Sequence, residues 1–122
     1  MARAVVVLSD DDMSLAMIHL NLARRGYSVL LALLEHVAQG WSPPASPDLL
    51  IVDLAAPEPR CWEITAWVRA LPWASRVRLL VLNPCWPDAA WLARLAAHRH
   101  LRKPFAVDHL MAAVEDALAA AP

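Results

Sequence analysis

The strongest constraint on this chain is a rhythm: short, unbroken aliphatic runs recur, each followed by a longer stretch with helical spacing. The runs are Val5–Leu8, Ser28–Ala32, Leu49–Val52 and Leu79–Leu82, and His100–Arg102 reads as a brief fifth strand. A strand wetted on one face alternates apolar and polar residues, whereas a strand covered on both faces is apolar throughout. The runs therefore predict buried parallel strands. Between them, Ser14–Arg25 places Leu15, Ile18 and Leu22 on one face and ends in two arginines and Gly26, a helix C-terminal pattern. Leu34–Gln39 reads as a short helix stopped by Gly40, and Cys61–Leu71 as a helix broken by Pro72. A fourth helix opens at Pro87, placed in its first turn beside Asp88, and runs to about Ala97. Val107–Ala120 forms the last, and Ser42–Pro47, with its three prolines, is loop. Five strands alternating with five helices predict an α/β fold with helices on both faces of a parallel sheet.

Size and composition exclude several classes of function. A chain of 122 residues fits one domain, residues 1–122, and 59% hydrophobic content with only two glycines excludes disorder. The longest apolar run, Val29–Leu34, falls far short of the roughly 20 residues needed to cross a bilayer. Ala4–Leu8 runs into Asp10, Asp11 and Asp12, which does not suit a signal peptide, so the expected location is cytoplasmic. A net charge of −1 gives no electrostatic case for binding nucleic acid. Cys61 and Cys85, 24 residues apart and in no C-x-x-C pattern, read as two reduced thiols. His98 and His100 alternate on a short strand and face opposite ways, which argues against a zinc pair.

In open parallel sheets, ligands bind beyond the carboxyl ends of the strands. The first run is followed by Ser9, Asp10, Asp11 and Asp12; the third delivers Asp53, the fourth Asn83, and the fifth Lys103 with Pro104. Carboxylates pooled this closely repel unless a cation neutralises them, and a hard, oxygen-loving ion such as Mg²⁺ suits that role. Asp12 reads as a cap or first-turn residue rather than a ligand. Asn83, before a proline, is equally consistent with a plain turn residue.

The stretches VVVLSDDDM, RRGYSV, PDLLIVDL with Pro57 four residues past Asp53, and RKPF resemble the receiver domain of two-component response regulators, over essentially the whole chain. The resemblance implies a flavodoxin-like sheet of order 2-1-3-4-5. It implies Asp53 as phosphoacceptor, Asp11 binding Mg²⁺ directly, Asp10 through water or a hydrogen bond, and the Ala55 backbone carbonyl completing the metal site with Asp53. Lys103 would pair with the phosphoryl oxygens, and the peptide before Pro104 is often cis in such proteins. Phosphoryl transfer needs positioning and charge neutralisation more than covalent chemistry, which a metal and a lysine supply.

The chain also departs from that pattern. Asn83 stands where the family has a Thr or Ser switch, and His100 where it has an aromatic ring. Ala55 and Cys85 occupy positions that tune hydrolysis, and neither orients a water, so slow loss of phosphate is expected. Trp86 and Trp91 fall near the fourth-helix/fifth-strand/fifth-helix face that receivers use for homodimers and downstream targets. The expectation is a stand-alone receiver, with a histidine kinase or phosphotransfer protein as donor and protein contacts as output, and not an enzyme. The alternatives are a degenerate receiver acting as an unphosphorylated interaction module and, with no well-placed general base, a small Mg²⁺-dependent hydrolase.

Overall fold

The computed structural model describes residues 2–120. In chain order its elements are β1 (Ala4–Ser9), α1 (Asp12–Arg24), β2 (Ser28–Leu33), α2 (Leu34–Ala38), β3 (Leu49–Asp53), α3 (Arg60–Arg69), β4 (Arg78–Asn83), α4 (Ala89–Leu95), β5 (Arg99–Arg102) and α5 (Val107–Ala119). All paired strands are parallel, and the sheet order is β2-β1-β3-β4-β5, as the aliphatic runs and the resemblance together predict. Each helix starts or stops within a few residues of its sequence signals. Gly26 and Gly40 take positive φ of 86° and 102° just past α1 and α2, where a left-handed residue closes the helix.

The period-two geometry of a strand sorts each aliphatic run between two cores. Val6, Leu8, Leu50, Val52, Leu79 and Val81 pack with Trp62, Val68 and Leu95 on the side of α3 and α4. Val5, Val7, Leu49, Ile51, Leu80 and Leu82 pack with Ile18, Leu22, Leu110 and Val114 on the side of α1 and α5. This is why the runs Val5–Leu8, Leu49–Val52 and Leu79–Leu82 are apolar throughout: each of their side chains enters one core or the other.

Two starts and stops differ from the sequence reading. Pro87 lies outside α4, and Asp88 is the N-cap, its carboxylate accepting from Trp91 N–H at 3.0 Å. α4 then closes on Ala96 in the left-handed conformation, φ 51°, with no glycine to mark it. The Arg69 side chain meets this turn, donating to the carbonyls of Ala74, Val77, Leu95 and Ala96 and so tying the end of α3 to the entry of β4 and the end of α4.

The two cysteines overturn the reduced-thiol expectation: Cys61 and Cys85 form a disulfide. The parallel topology brings the first turn of α3 under the loop leaving β4. A linear spacing of 24 residues carries no sign of that approach.

Candidate functional site

The carboxyl edge of the sheet gathers the polar ends of four strands. Parallel pairing sets Ser9 beside Asp53, and β4 brings Asn83 alongside Arg102 of β5. Ser9, Asp53 and Asn83 are each completely buried, which polar groups tolerate only with partners. For Asp53 the partners come from both ends of the chain. Ser9 Oγ donates to Oδ2 at 2.8 Å, and Lys103 Nζ lies 2.6 Å from Oδ1, neutralising its charge. Lys103 is positioned by its backbone N–H donating to the Asn83 carbonyl and by a longer contact to Ser14 Oγ at 3.4 Å, and its peptide bond to Pro104 is cis.

The three acids after β1 separate into different tasks. Asp10 leans over the loop after β3, its carboxylate accepting from the N–H groups of Ala55 and Ala56 at 2.8 and 3.3 Å. Asp11 is the N-cap of α1, accepting from Met13 and Ser14 N–H, and Asp12 is the first helical residue. The structure thus sets the Asp10 carboxylate on the Ala55 and Ala56 backbone and the Asp10 N–H on the Asp53 carbonyl, while Asp11 caps α1 and borders the cleft that Lys103 also lines. Among the described residues, no three Asp, Glu, His or Cys side chains converge as a ready-made metal cluster. Ser9 is the residue that sequence reading missed. It ends the first aliphatic run as Asp53 ends the third, and pairing those runs in parallel would have set the two side by side.

Asn83 and His100 are joined directly. Cys85 N–H donates to Asn83 Oδ1 at 3.1 Å, which identifies that atom as the carbonyl oxygen. His100 Nε2, 2.8 Å from the same oxygen, must therefore be the donor. Among the described residues, Asn83 Nδ2 is buried without a partner, as are His100 Nδ1 and Trp62 Nε1. The imidazole rests on the Trp62 indole, and burial lowers the His100 pKa below its ordinary value. Of the two tryptophans expected on a partner face, Trp86 is 68% exposed with the Arg102 guanidinium 3.7 Å from its ring centre. Trp91 is half-buried and stacks on Trp62, so it belongs largely to the core.

Clefts flank this edge, one of about 460 Å³ bordered by Ser14, Met17, Lys103 and Phe105. A cavity of about 600 Å³ lies at the amino ends of the strands among Pro43, Pro47, Trp73 and Arg78. It shares no residue with the acid site.

No family model matches the chain, and no curated protein matches it by sequence. Solved structures do. A chemotaxis response regulator of Vibrio cholerae matches at TM-score 0.73 and 21% identity, over 96% of this chain and 99% of that one. A response regulator from Chloroflexus aurantiacus matches at TM-score 0.69 and 25% identity, over 98% and 100%. The receiver domain of a sensor histidine kinase from Pseudomonas aeruginosa, described with a magnesium ion coordinated in its active-site cleft, matches at TM-score 0.71 and 18% identity, over 98% and 100%. The chain has the receiver-domain fold of response regulators.

Two measurements check this geometry. Asp11→Ala removes a helix cap and should lower the unfolding free energy by about 1 kcal/mol in urea titrations. A change below a few tenths would mean Asp11 does not cap α1. Because the folded-state pKa of His100 is lowered, the unfolded chain binds the extra proton first. Stability should be full above the ordinary histidine value of about 6.5 and fall as pH drops from there towards the folded value. Thermal melts of wild type and His100→Phe between pH 7.5 and pH 5 (roughly the span over which histidines titrate) should show a shallower acid loss in the variant. Parallel curves would contradict it.

Proposed function

We propose that this chain is a receiver of two-component signalling that accepts a phosphoryl group on Asp53 from the phosphohistidine of a histidine kinase or phosphotransfer protein in the cytoplasm. The observation that carries the reading is the ion pair between Lys103 Nζ and the fully buried Asp53 Oδ1 at 2.6 Å. A buried carboxylate held by one flexible lysine is a nucleophile whose counter-charge is able to swing onto an incoming phosphoryl oxygen.

In the step proposed, an Asp53 oxygen attacks phosphorus, the bond from phosphorus to the donor imidazole nitrogen breaks, and the imidazole leaves with the electron pair. Lys103 transfers its ion pair from Oδ1 to the phosphoryl group. Asn83 Nδ2, a buried donor with no partner, is the second group suited to a phosphoryl oxygen. A magnesium ion fits the hard oxygen donors of Asp10, Asp53 and the Ala55 carbonyl, and when bound it supplies neutralisation of the phosphoryl charge. Asp11 stands outside that set. On this reading the chain acts as an acceptor rather than a catalyst that turns over.

A second reading, an unphosphorylated interaction module, is favoured by one observation: Asn83 Oδ1 is already held by both His100 and Cys85. Output in either case would use the α4–β5–α5 face, where Trp86 is exposed on Arg102.

Incubation with acetyl phosphate and Mg²⁺ separates the two readings. Mass spectrometry should show a gain of one phosphoryl group that disappears in Asp53→Asn, falls roughly 10²-fold in initial rate in Lys103→Ala, and decays slowly after the donor is removed. No gain in the wild type under saturating donor would leave the interaction module as the function.

A further inference from the structure

We propose that Cys61 and Cys85 form a reversible dithiol–disulfide centre, reduced by a dithiol protein or small dithiol, that sets whether the β4–α4 loop is clamped to α3. The inference rests on the receiver reading only in what the loop controls, because that loop starts at Asn83. The bond itself joins the first turn of α3 to residue 85, two positions beyond the end of β4.

The loop has few other restraints. Pro84 and Pro87 lack an N–H, and residues 84–87 find no backbone-to-backbone hydrogen-bond partner among the described residues. It is held by the disulfide, by the Cys85 N–H donating to Asn83 Oδ1 at 3.1 Å, and by Trp86 lying under the Arg102 guanidinium. Opening the first restraint loosens the second, and the second shares its acceptor oxygen with His100. The redox state of two sulfurs is thereby connected, through one amide side chain, to the group suited to a phosphoryl oxygen and to the exposed Trp86.

Access to the bond is one-sided. Both cysteines are buried, Cys61 fully and Cys85 at 3% exposure, and of the two Cys85 borders a surface cavity of about 140 Å³ with Pro57, Glu58, Pro84 and Trp86. A reductant thiolate reaching through that cavity attacks Cys85 Sγ, forms a mixed disulfide there and releases Cys61. The second thiol of the reductant then attacks its own sulfur and releases Cys85. Two electrons pass to the protein, both cysteines take up a proton as thiols, and the reductant departs as its disulfide. In a reducing compartment, protein disulfides are typically transient and regulatory, which suits a signalling domain.

The test uses the full chain without any phosphodonor. Protein purified in air is treated with dithiothreitol under native conditions, its thiols are counted by iodoacetamide alkylation and mass spectrometry, and amide exchange is followed residue by residue. The proposal expects two alkylated cysteines only after reduction and amide exchange at Cys85 and Trp86 at least about tenfold faster. It also expects a shifted His100 imidazole resonance and unchanged exchange in β1 and β3. The double variant Cys61→Ser/Cys85→Ser should match the reduced protein and ignore the dithiol. Two free thiols before reduction would overturn the proposal, as would a bond that resists dithiothreitol in the folded protein. Loop exchange blind to redox state, or reduction that melts β1 and β3, would equally overturn it. Labelling of Asp53 is read separately, so a chain that cannot be phosphorylated but still switches its loop supports the centre and defeats only the receiver reading.

Discussion

The structure depends on a buried negative charge having a positive one within reach. Asp53 ends the central strand with no exposure to water, a position that strongly penalises an unpaired carboxylate. Lys103, from the far end of the chain, supplies the counter-charge, and Ser9 satisfies the other oxygen. That pairing requires β1, β3 and the loop after β5 to meet at one edge, which the parallel order of the sheet ensures. The tertiary arrangement and the buried ion pair are thus a single feature. Removing the lysine would leave the fold with an unpaired buried charge and the site without its cation.

Around this pair the edge divides into two halves of different character. On the β1 side, the acids are held by backbone amides: Asp10 by the loop after β3 and Asp11 by its own helix. On the β4 side, Asn83, His100, Trp62 and Trp91 form a chain of contacts packed against the core, fastened below by the disulfide. The first half is electrostatic and open to solvent at Asp10. The second is packed, and what moves there must move together, because Asn83 Oδ1 serves both the loop and the imidazole.

The sequence made the fold legible because burial on both faces leaves an unmistakable signature. Val5–Leu8, Leu49–Val52 and Leu79–Leu82 read as interior strands, which set Asp53 and Asn83 at the exits of the last two, while Lys103 follows the short fifth strand. The roles of the neighbouring acids were less legible. Asp10, Asp11 and Asp12 are equivalent in composition, and only the start of α1 decides which carboxylate caps the helix and which turns towards Asp53. Ser9 was overlooked because a serine announces nothing until strand register sets it against a carboxylate. The disulfide was invisible for a related reason: proximity across the α3 side of the sheet is set by packing, not by spacing along the chain.

The most direct examination of the central claim, that Asp53 and Lys103 together form a pocket for a phosphoryl group, uses beryllofluoride, a tetrahedral phosphoryl mimic. Fluorine NMR of the full chain with beryllofluoride and Mg²⁺ should show a bound resonance that vanishes in Asp53→Asn and weakens in Lys103→Ala. A wild-type spectrum containing only free beryllofluoride, at concentrations that saturate an accessible carboxylate, would contradict the claim.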